Sequence, residues 1–272
     1  MDDGTQKIQI SKISLNESGG FVQEEITPDI PMANGGVNYK DGILFCSQGT
    51  HDRLSSLILM ELNAPYKCVT IVDSFYGRQF NSINDVVVHS DGSIWFTDPI
   101  YGYEQQFRPA PQLPNQVYRY EPETQSIRVM ADGFGRPNGI SFSPDERIVY
   151  ITDTDHAHGD GTIDLSRAST IYAFDVIFYD KQPFLTNRRV FAMADTGIPD
   201  GIKCDIRGNV YSGCGDGINV WSPGGLLLGK VIIPGGVSNF CFEKPGQILA
   251  MNEEQLWRVN LAATCRGSLL KL

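Results

Sequence analysis

A five-fold internal repeat restricts this chain to architectures that stack or circle one small β unit. The repeating segments are GGVNYKDGILFCSQG (Gly35 to Gly49), NDVVVHSDGSIWFTDP (Asn84 to Pro99), NGISFSPDERIVYITDT (Asn138 to Thr154), DGIKCDIRGNVYSGCGD (Asp200 to Asp216) and NFCFEKPGQILAMNEE (Asn239 to Glu254). Each opens on a polar or glycine pair. A short alternating strand follows, then a turn such as SDG, SPDE or RGN, then a second strand. Runs such as Ile94 to Thr97 and Ile148 to Ile151 are β-branched or aromatic throughout, which suits strands buried on both faces. Asp91-Gly92 and Arg207-Gly208-Asn209 supply the positive-φ positions of tight hairpins. Further strand candidates lie between the units: Gln116 to Tyr120, Ser126 to Met130, Thr170 to Val176, Arg188 to Ala192, Ile218 to Trp221 and Lys230 to Ile233. About four strands per repeat, with no sustained 3.6-residue period, predict an all-β chain folded as a β-propeller, residues 1–272 forming a single domain.

The ends set the expected blade number. The chain starts with two lone strand candidates, Ile8 to Leu15 and Phe21 to Ile26. They read as the outer half of a sixth blade whose inner hairpin would precede Met1. The last unit has its inner hairpin and one further strand, Gln255 to Asn260. The expectation is a six-bladed β-propeller with an incomplete first blade, about one inner hairpin and a closing strand being absent. A five-bladed ring with irregular ends is the alternative.

Composition narrows the partners. The formal net charge is −10, and no basic cluster exceeds the pair Arg188–Arg189, so nucleic acid is not an expected partner. No apolar run is long enough to span a membrane, and the N-terminus lacks a signal-peptide core. A cytoplasmic, monomeric protein is expected from the sequence as it stands, a secreted one if an N-terminal segment is missing. The six cysteines form no CxxC pair, and several lie in strand-like runs, so they read as buried free thiols.

In a propeller the innermost strand of each blade starts beside the central channel. The opening residues here are Asn34-Gly35, Asn84-Asp85, Asn138-Gly139, Asp200-Gly201 and Ser238-Asn239. A ring of amide and carboxylate oxygens without His or Cys favours a hard cation over zinc. One Asn-Gly or Asp-Gly pair is only a turn. Five polar openings in phase with a strand repeat point to an axial metal ring.

RPNGISFSPDERIVYITDT, GIPDGIKCDIRGNVYSG and FNSINDVVVHSDGSIWFTDP resemble the gluconolactonase, senescence-marker and luciferin-regenerating family, nearest to its fungal lactone-hydrolase branch. The resemblance runs from about Ile8 to Arg258. It implies a six-bladed propeller with one catalytic divalent cation on the axis, expected to be Ca²⁺, with Zn²⁺, Mn²⁺ and Mg²⁺ as alternatives. The family's ligands are a first-blade Glu, the Asn of an ND element, the Asn of PNG and the Asp of PDG. They map onto Asn84, Asn138 and Asp200, and the first-blade Glu has no counterpart. The implied activity is a calcium-dependent lactonase, a carboxylic-ester hydrolase acting on a small-molecule lactone or ester. The cation would polarise the carbonyl, and Asp200 would orient or deprotonate the attacking water. Asn84 would also meet substrate.

Other residues carry weaker expectations. Asn239 is read as a further axial or substrate contact. Arg78, in YGRQFNS, is read as facing the channel mouth and binding an anionic group. The proline-rich stretch Tyr101 to Gln116 is read as a lid. His51, His89, His156 and His158 read as loop or strand-end residues, and Asp98 and Asp153 as turn acceptors. Glu253 and Glu254 are not offered in place of the missing Glu. No Ser/His/Asp set or GxSxG elbow is visible, which argues against a serine esterase. The missing Glu keeps two alternatives open: a catalytically impaired propeller that binds a small molecule or protein, and a biosynthetic enzyme of other chemistry on the same fold.

Overall fold

The structure is a computed structural model that describes residues 8–252 and 255–269. A hairpin comes first, β1 (Ile10–Leu15) and β2 (Phe21–Ile26). Blade 1 follows: β3 (Ala33–Tyr39), β4 (Gly42–Ser47), β5 (Ser56–Glu61) and β6 (Cys68–Val72). A two-residue ribbon, β7 (Ser74–Phe75) and β8 (Arg78–Gln79), leads into blade 2, built from β9 (Val86–Val88), β10 (Ile94–Asp98), β11 (Gln116–Glu121) and β12 (Ser126–Ala131). One helical turn, α1 (Tyr101–Glu104), follows β10. Blade 3 comprises β13 (Pro137–Phe142), β14 (Ile148–Asp153), β15 (Thr170–Tyr179) and β16 (Gln182–Met193). Blade 4 comprises β17 (Ile202–Cys204), β18 (Val210–Cys214), β19 (Gly217–Trp221) and β20 (Leu227–Ile232). Blade 5 has three strands, β21 (Asn239–Lys244), β22 (Gln247–Met251) and β23 (Leu256–Asn260).

Each blade is an antiparallel meander, so neighbouring strands need only short turns. The first strands of successive blades pack side by side, β3 on β9, β9 on β13, β13 on β17 and β17 on β21. The sheets thus stand radially, as in a β-propeller. The apolar core lies in the seams between blades. Leu44, Cys46 and Leu57 of blade 1 meet Ile94, Phe96 and Tyr118 of blade 2. Trp95 and Val117 then meet Ile140 and Val149 of blade 3. Blades 3 and 4 share Tyr150, Ile171, Ile202 and Trp221, and blades 4 and 5 share Tyr211, Ile218, Phe240 and Ile248. Seams on both sides explain why all of Ile94–Asp98 and Pro137–Phe142 are buried.

Where six blades were expected, the described residues form five blade sheets and the two-stranded β1–β2 hairpin. That hairpin lies between the two ends of the series. Ile10 and Ile26 join Ile58 and Met60 of blade 1, and the Arg258 guanidinium of β23 stands 4.1 Å from the Phe21 ring. Ile13, Leu15, Phe21 and Val22 stay exposed.

Three local differences from expectation have physical causes. The β15–β16 ribbon runs on to Tyr179 and Gln182, because Asp180 and Lys181 both take positive φ and close a tight turn without glycine. The Tyr101–Gln116 stretch, read as a lid, is pinned at Arg108. Arg108 is buried and donates to the carbonyls of Asn81, Thr50, Arg53 and Phe80 and to Gln79 Oε1. Cys46, Cys204 and Cys214 are buried as expected, but Cys241 is exposed on the face of β21 opposite Phe240 and Phe242. Among the described residues no helix is long and apolar enough to cross a membrane.

Candidate functional site

The opening residues of the inner strands are lashed from blade to blade by backbone groups and by one recurring hydroxyl. The Gly35 N–H donates to the Asn84 carbonyl at 2.9 Å, and the Gly201 N–H to the Ser238 carbonyl at 2.8 Å. Thr97 Oγ1 donates to the Asn138 carbonyl of blade 3 at 2.6 Å and accepts the Asp85 N–H. Thr152 Oγ1 repeats the pattern one blade on, donating to the Asp200 carbonyl at 3.0 Å and accepting the Gly139 N–H at 2.7 Å. In blade 4 the corresponding position is Gly213, and the preceding Ser212 donates to the Gly201 carbonyl of its own blade. Thr97, Thr152, Asn84, Asp85, Asn138 and Gly139 are buried, and an unpaired group there costs more than a pair returns.

The approach between blades is close enough to exclude a side chain. A Cβ on Gly139 would lie 2.5 Å from the Asp200 carbonyl oxygen, one on Gly35 2.6 Å from the Asn84 oxygen, and one on Gly201 2.4 Å from Asn239 Oδ1. In blades 1 and 3 a bulge releases Asn34-Gly35 and Asn138-Gly139 from the strand ladder.

Asn138 and Asp200 meet, the Asn138 amide lying close enough to the Asp200 carboxylate to favour its charged form. Burial, reinforced by the nearby Asp85 charge, pushes the Asp200 carboxyl up to about 7, against the pull of Asn138 and Lys203. Part of Asp200 still opens onto the channel. Asn84 is 7% exposed, and among the described residues nothing hydrogen-bonds its side-chain amide. Asp85 is fully engaged: Oδ1 accepts the Val86 N–H, Oδ2 the Ile140 N–H, and the Lys203 ammonium stands 3.8 Å away.

These residues fit a divalent cation by the chemistry of the donor set. The donors are oxygens only, the amides of Asn84 and Asn138 and the carboxylate of Asp200. No group of three His, Cys, Asp or Glu side chains converges among the described residues, so a zinc-type cluster is not what the ring offers.

A cavity of ≈ 590 Å³ opens beside Asp200, lined by Ile198, Cys214, Val237, Ser238 and the glycine backbone at Gly215 and Gly236. Farther around the mouth stands α1. Tyr101 hydrogen-bonds Thr154, while Glu104 and Asp155 both pair with Arg136, and Asp155 also pairs with Arg167 at 2.6 Å. Asp98 accepts the N–H groups of Asn81 and Ser82, and Asp153 those of Gly135 and Arg136, so both shape the turns that lead into an inner strand.

Asn239 stands one residue after the ring position, in the register of Asp85, with Oδ1 accepting the Phe240 N–H and its side chain against Gly201. The opening residue of blade 5 is Ser238. Arg78 is exposed on the β7–β8 ribbon, its guanidinium 5.6 Å from the Phe75 ring, outside the set of residues that line the cavity. His51 faces the Gln106 carbonyl at 3.0 Å, and His158 bonds Thr162 within its own loop. Glu253 and Glu254 lie outside the described residues. Sequence reasoning missed Lys203, α1 and the Thr97/Thr152 hydroxyl. The repeated Thr-Asp after the second strand carried a signal for the last of these.

Residues 29–250 match the family model described as the SMP-30/Gluconolactonase/LRE-like region. The chain is similar to a lactonohydrolase of Aspergillus oryzae, oryL, at 29% identity over 93% of this chain and 61% of the relative. It is similar to a gluconolactonase of Zymomonas mobilis at 32% identity, over 66% of this chain and 50% of the relative. The chain therefore spans about half to three fifths of the length of these relatives. Among solved structures, a gluconolactonase from Xanthomonas campestris superposes with a TM-score of 0.75 at 29% identity, covering 92% of this chain and 78% of that one.

Proposed function

This chain belongs to the SMP-30/Gluconolactonase/LRE-like family, and from that premise we propose that its channel hydrolyses a small lactone with the help of one divalent cation. The observation that carries the reading is the axial set Asn84, Asn138 and Asp200, with the Asn138 amide beside a carboxylate that itself lines an open cavity. Asn84, Asn138 and Asp200 would hold the ion, which we take to be calcium. When bound, it supplies Lewis-acid polarisation of the lactone carbonyl.

The side chains do the rest. Asp200 orients the attacking water and takes its proton as the C–O bond forms. The proton returns to the ring oxygen as the acyl C–O bond breaks, leaving a hydroxy acid. The two amides would hold the ion without cancelling its charge. Ser238 and the glycine-edged wall leave room for the lactone ring. Arg136 does not serve as an anion clamp, because Glu104 and Asp155 already occupy its guanidinium. We read β1–β2 as the outer pair of a sixth blade, since it sits between blades 5 and 1 and contacts both.

Ring opening of glucono-δ-lactone and of a simple γ-lactone, followed by acid release, tests the reading. Asp200→Asn keeps the shape of the ring and removes the base, and is expected to lower turnover by about 100-fold or more. Turnover at the wild-type rate in this variant contradicts the assignment.

A further inference from the structure

Lys203 and Asp85 are charged side chains beside the axial residues that the proposed reaction leaves unused. Lys203 lies on β17 between the buried residues Ile202 and Cys204, a position that strand alternation alone assigns to a polar surface. Instead its side chain is only 16% exposed. The ammonium donates to the Ile202 carbonyl at 3.0 Å and stands 3.8 Å from Asp85 Oδ2. Asp85 precedes β9 of blade 2 and Lys203 belongs to blade 4, with β13 of blade 3 between them. The lysine therefore reaches past one whole blade, over the channel. Its charge also acts on Asp200 of its own blade, on Cys46 of blade 1 and on Cys241 of blade 5. Among the described residues no other lysine or arginine pairs with Asp85, and none pairs with Asp200.

Two carboxylates in one narrow channel repel each other and attract cations. With side chains 3% and 16% exposed, Asp85 and Lys203 interact at short range in a medium that screens poorly. We propose that Lys203 is the fixed cation of the channel: its ammonium balances Asp85, keeps that carboxylate from taking a metal ion, and so limits the axis to one exchangeable cation at Asp200. The limit on metal number rests on the cation reading above, whereas the pairing of Lys203 with Asp85 does not. Lys203 acts through Asp85 and the axial charge, and so is a positioning residue.

The test uses the whole chain and the variants Lys203→Met, Asp85→Asn and the double variant. In chelator, Lys203→Met leaves Asp85 buried without its partner and is expected to lower the melting temperature by roughly 5 °C. The double variant is expected to regain most of that loss. Calorimetric titration with CaCl₂ is expected to give one ion per wild-type chain and two per Lys203→Met chain. A melting temperature unchanged in Lys203→Met, or losses that simply add in the double variant, overturns the pairing. One ion per chain in both proteins overturns the limit on metal number. If neither protein takes calcium, the cation reading and the limit fall together, and the chelator series still decides the pairing. Should Lys203→Met not fold, soluble yield restored in the double variant supports the pairing, and continued insolubility overturns it.

Discussion

Single residues show how burial and hydrogen bonding choose the state of a carboxylate in this chain. Asp200 and Asp91 move in opposite directions. Burial pushes Asp200 up to about 7. At Asp91 burial also works against the charge, but the Ser93 hydroxyl and N–H, with His89 beside them, outweigh it and hold the carboxyl down near 2. A carboxyl depressed in the folded state contributes stability that is present above its ordinary value near 4 and fades as pH falls toward 2. The urea midpoint of the wild type should therefore exceed that of Asp91→Asn at pH 6 and converge on it near pH 2. A constant difference across that range contradicts the argument. Asp91 is partly exposed, so the effect is small. Residue identity was legible in the sequence where a motif fixed it, as with Asn138 in PNG and Asp200 in PDG. It was not legible for Arg108, Arg136 and Lys203. Arginine and lysine read as solvated until their partners are known, and these partners lie on segments distant in the chain.

At the scale of the strand pair, the hydroxyl shared by Thr97 and Thr152 joins one blade to the next. Thr152→Val keeps the shape and removes both hydrogen bonds, leaving the Gly139 N–H and the Asp200 carbonyl unpaired in a buried seam. The expected cost is about 2 kcal/mol, read from urea unfolding, and Thr152→Ser should recover most of it. A Val variant as stable as the wild type would show that the hydroxyl does not join the blades. The inner hairpins were the most legible elements, because strands buried on both faces need continuous β-branched and aromatic runs that stand out from their turns. One-turn α1 was not legible, since four residues cannot display a helical period. The position of Asn239 was missed by a single residue, because Ser238 and Asn239 are both polar and only the cross-blade hydrogen bond selects Ser238 as the ring member.

For the whole molecule, the radial arrangement turns a repeat in sequence into a ring of equivalent positions, and chemistry needs only a few of them to differ. Threonine recurs at the joints of blades 2 and 3, while the opening residues vary as Asn84, Asn138, Asp200 and Ser238. The propeller class was legible from the repeat. Blade number was not, because a two-stranded hairpin and a full sheet look alike until their pairing is seen. The central claim is that this ring holds a divalent cation, and the melting temperature of the purified chain in excess Ca²⁺ against chelator tests it most directly. At 100 times Kd, binding adds about 2.7 kcal/mol, which for a chain of this size raises the melting temperature by several degrees. The account predicts that rise, and its loss in Asn138→Ala and Asp200→Ala. A folded wild-type chain that melts at the same temperature in calcium and in chelator would contradict it.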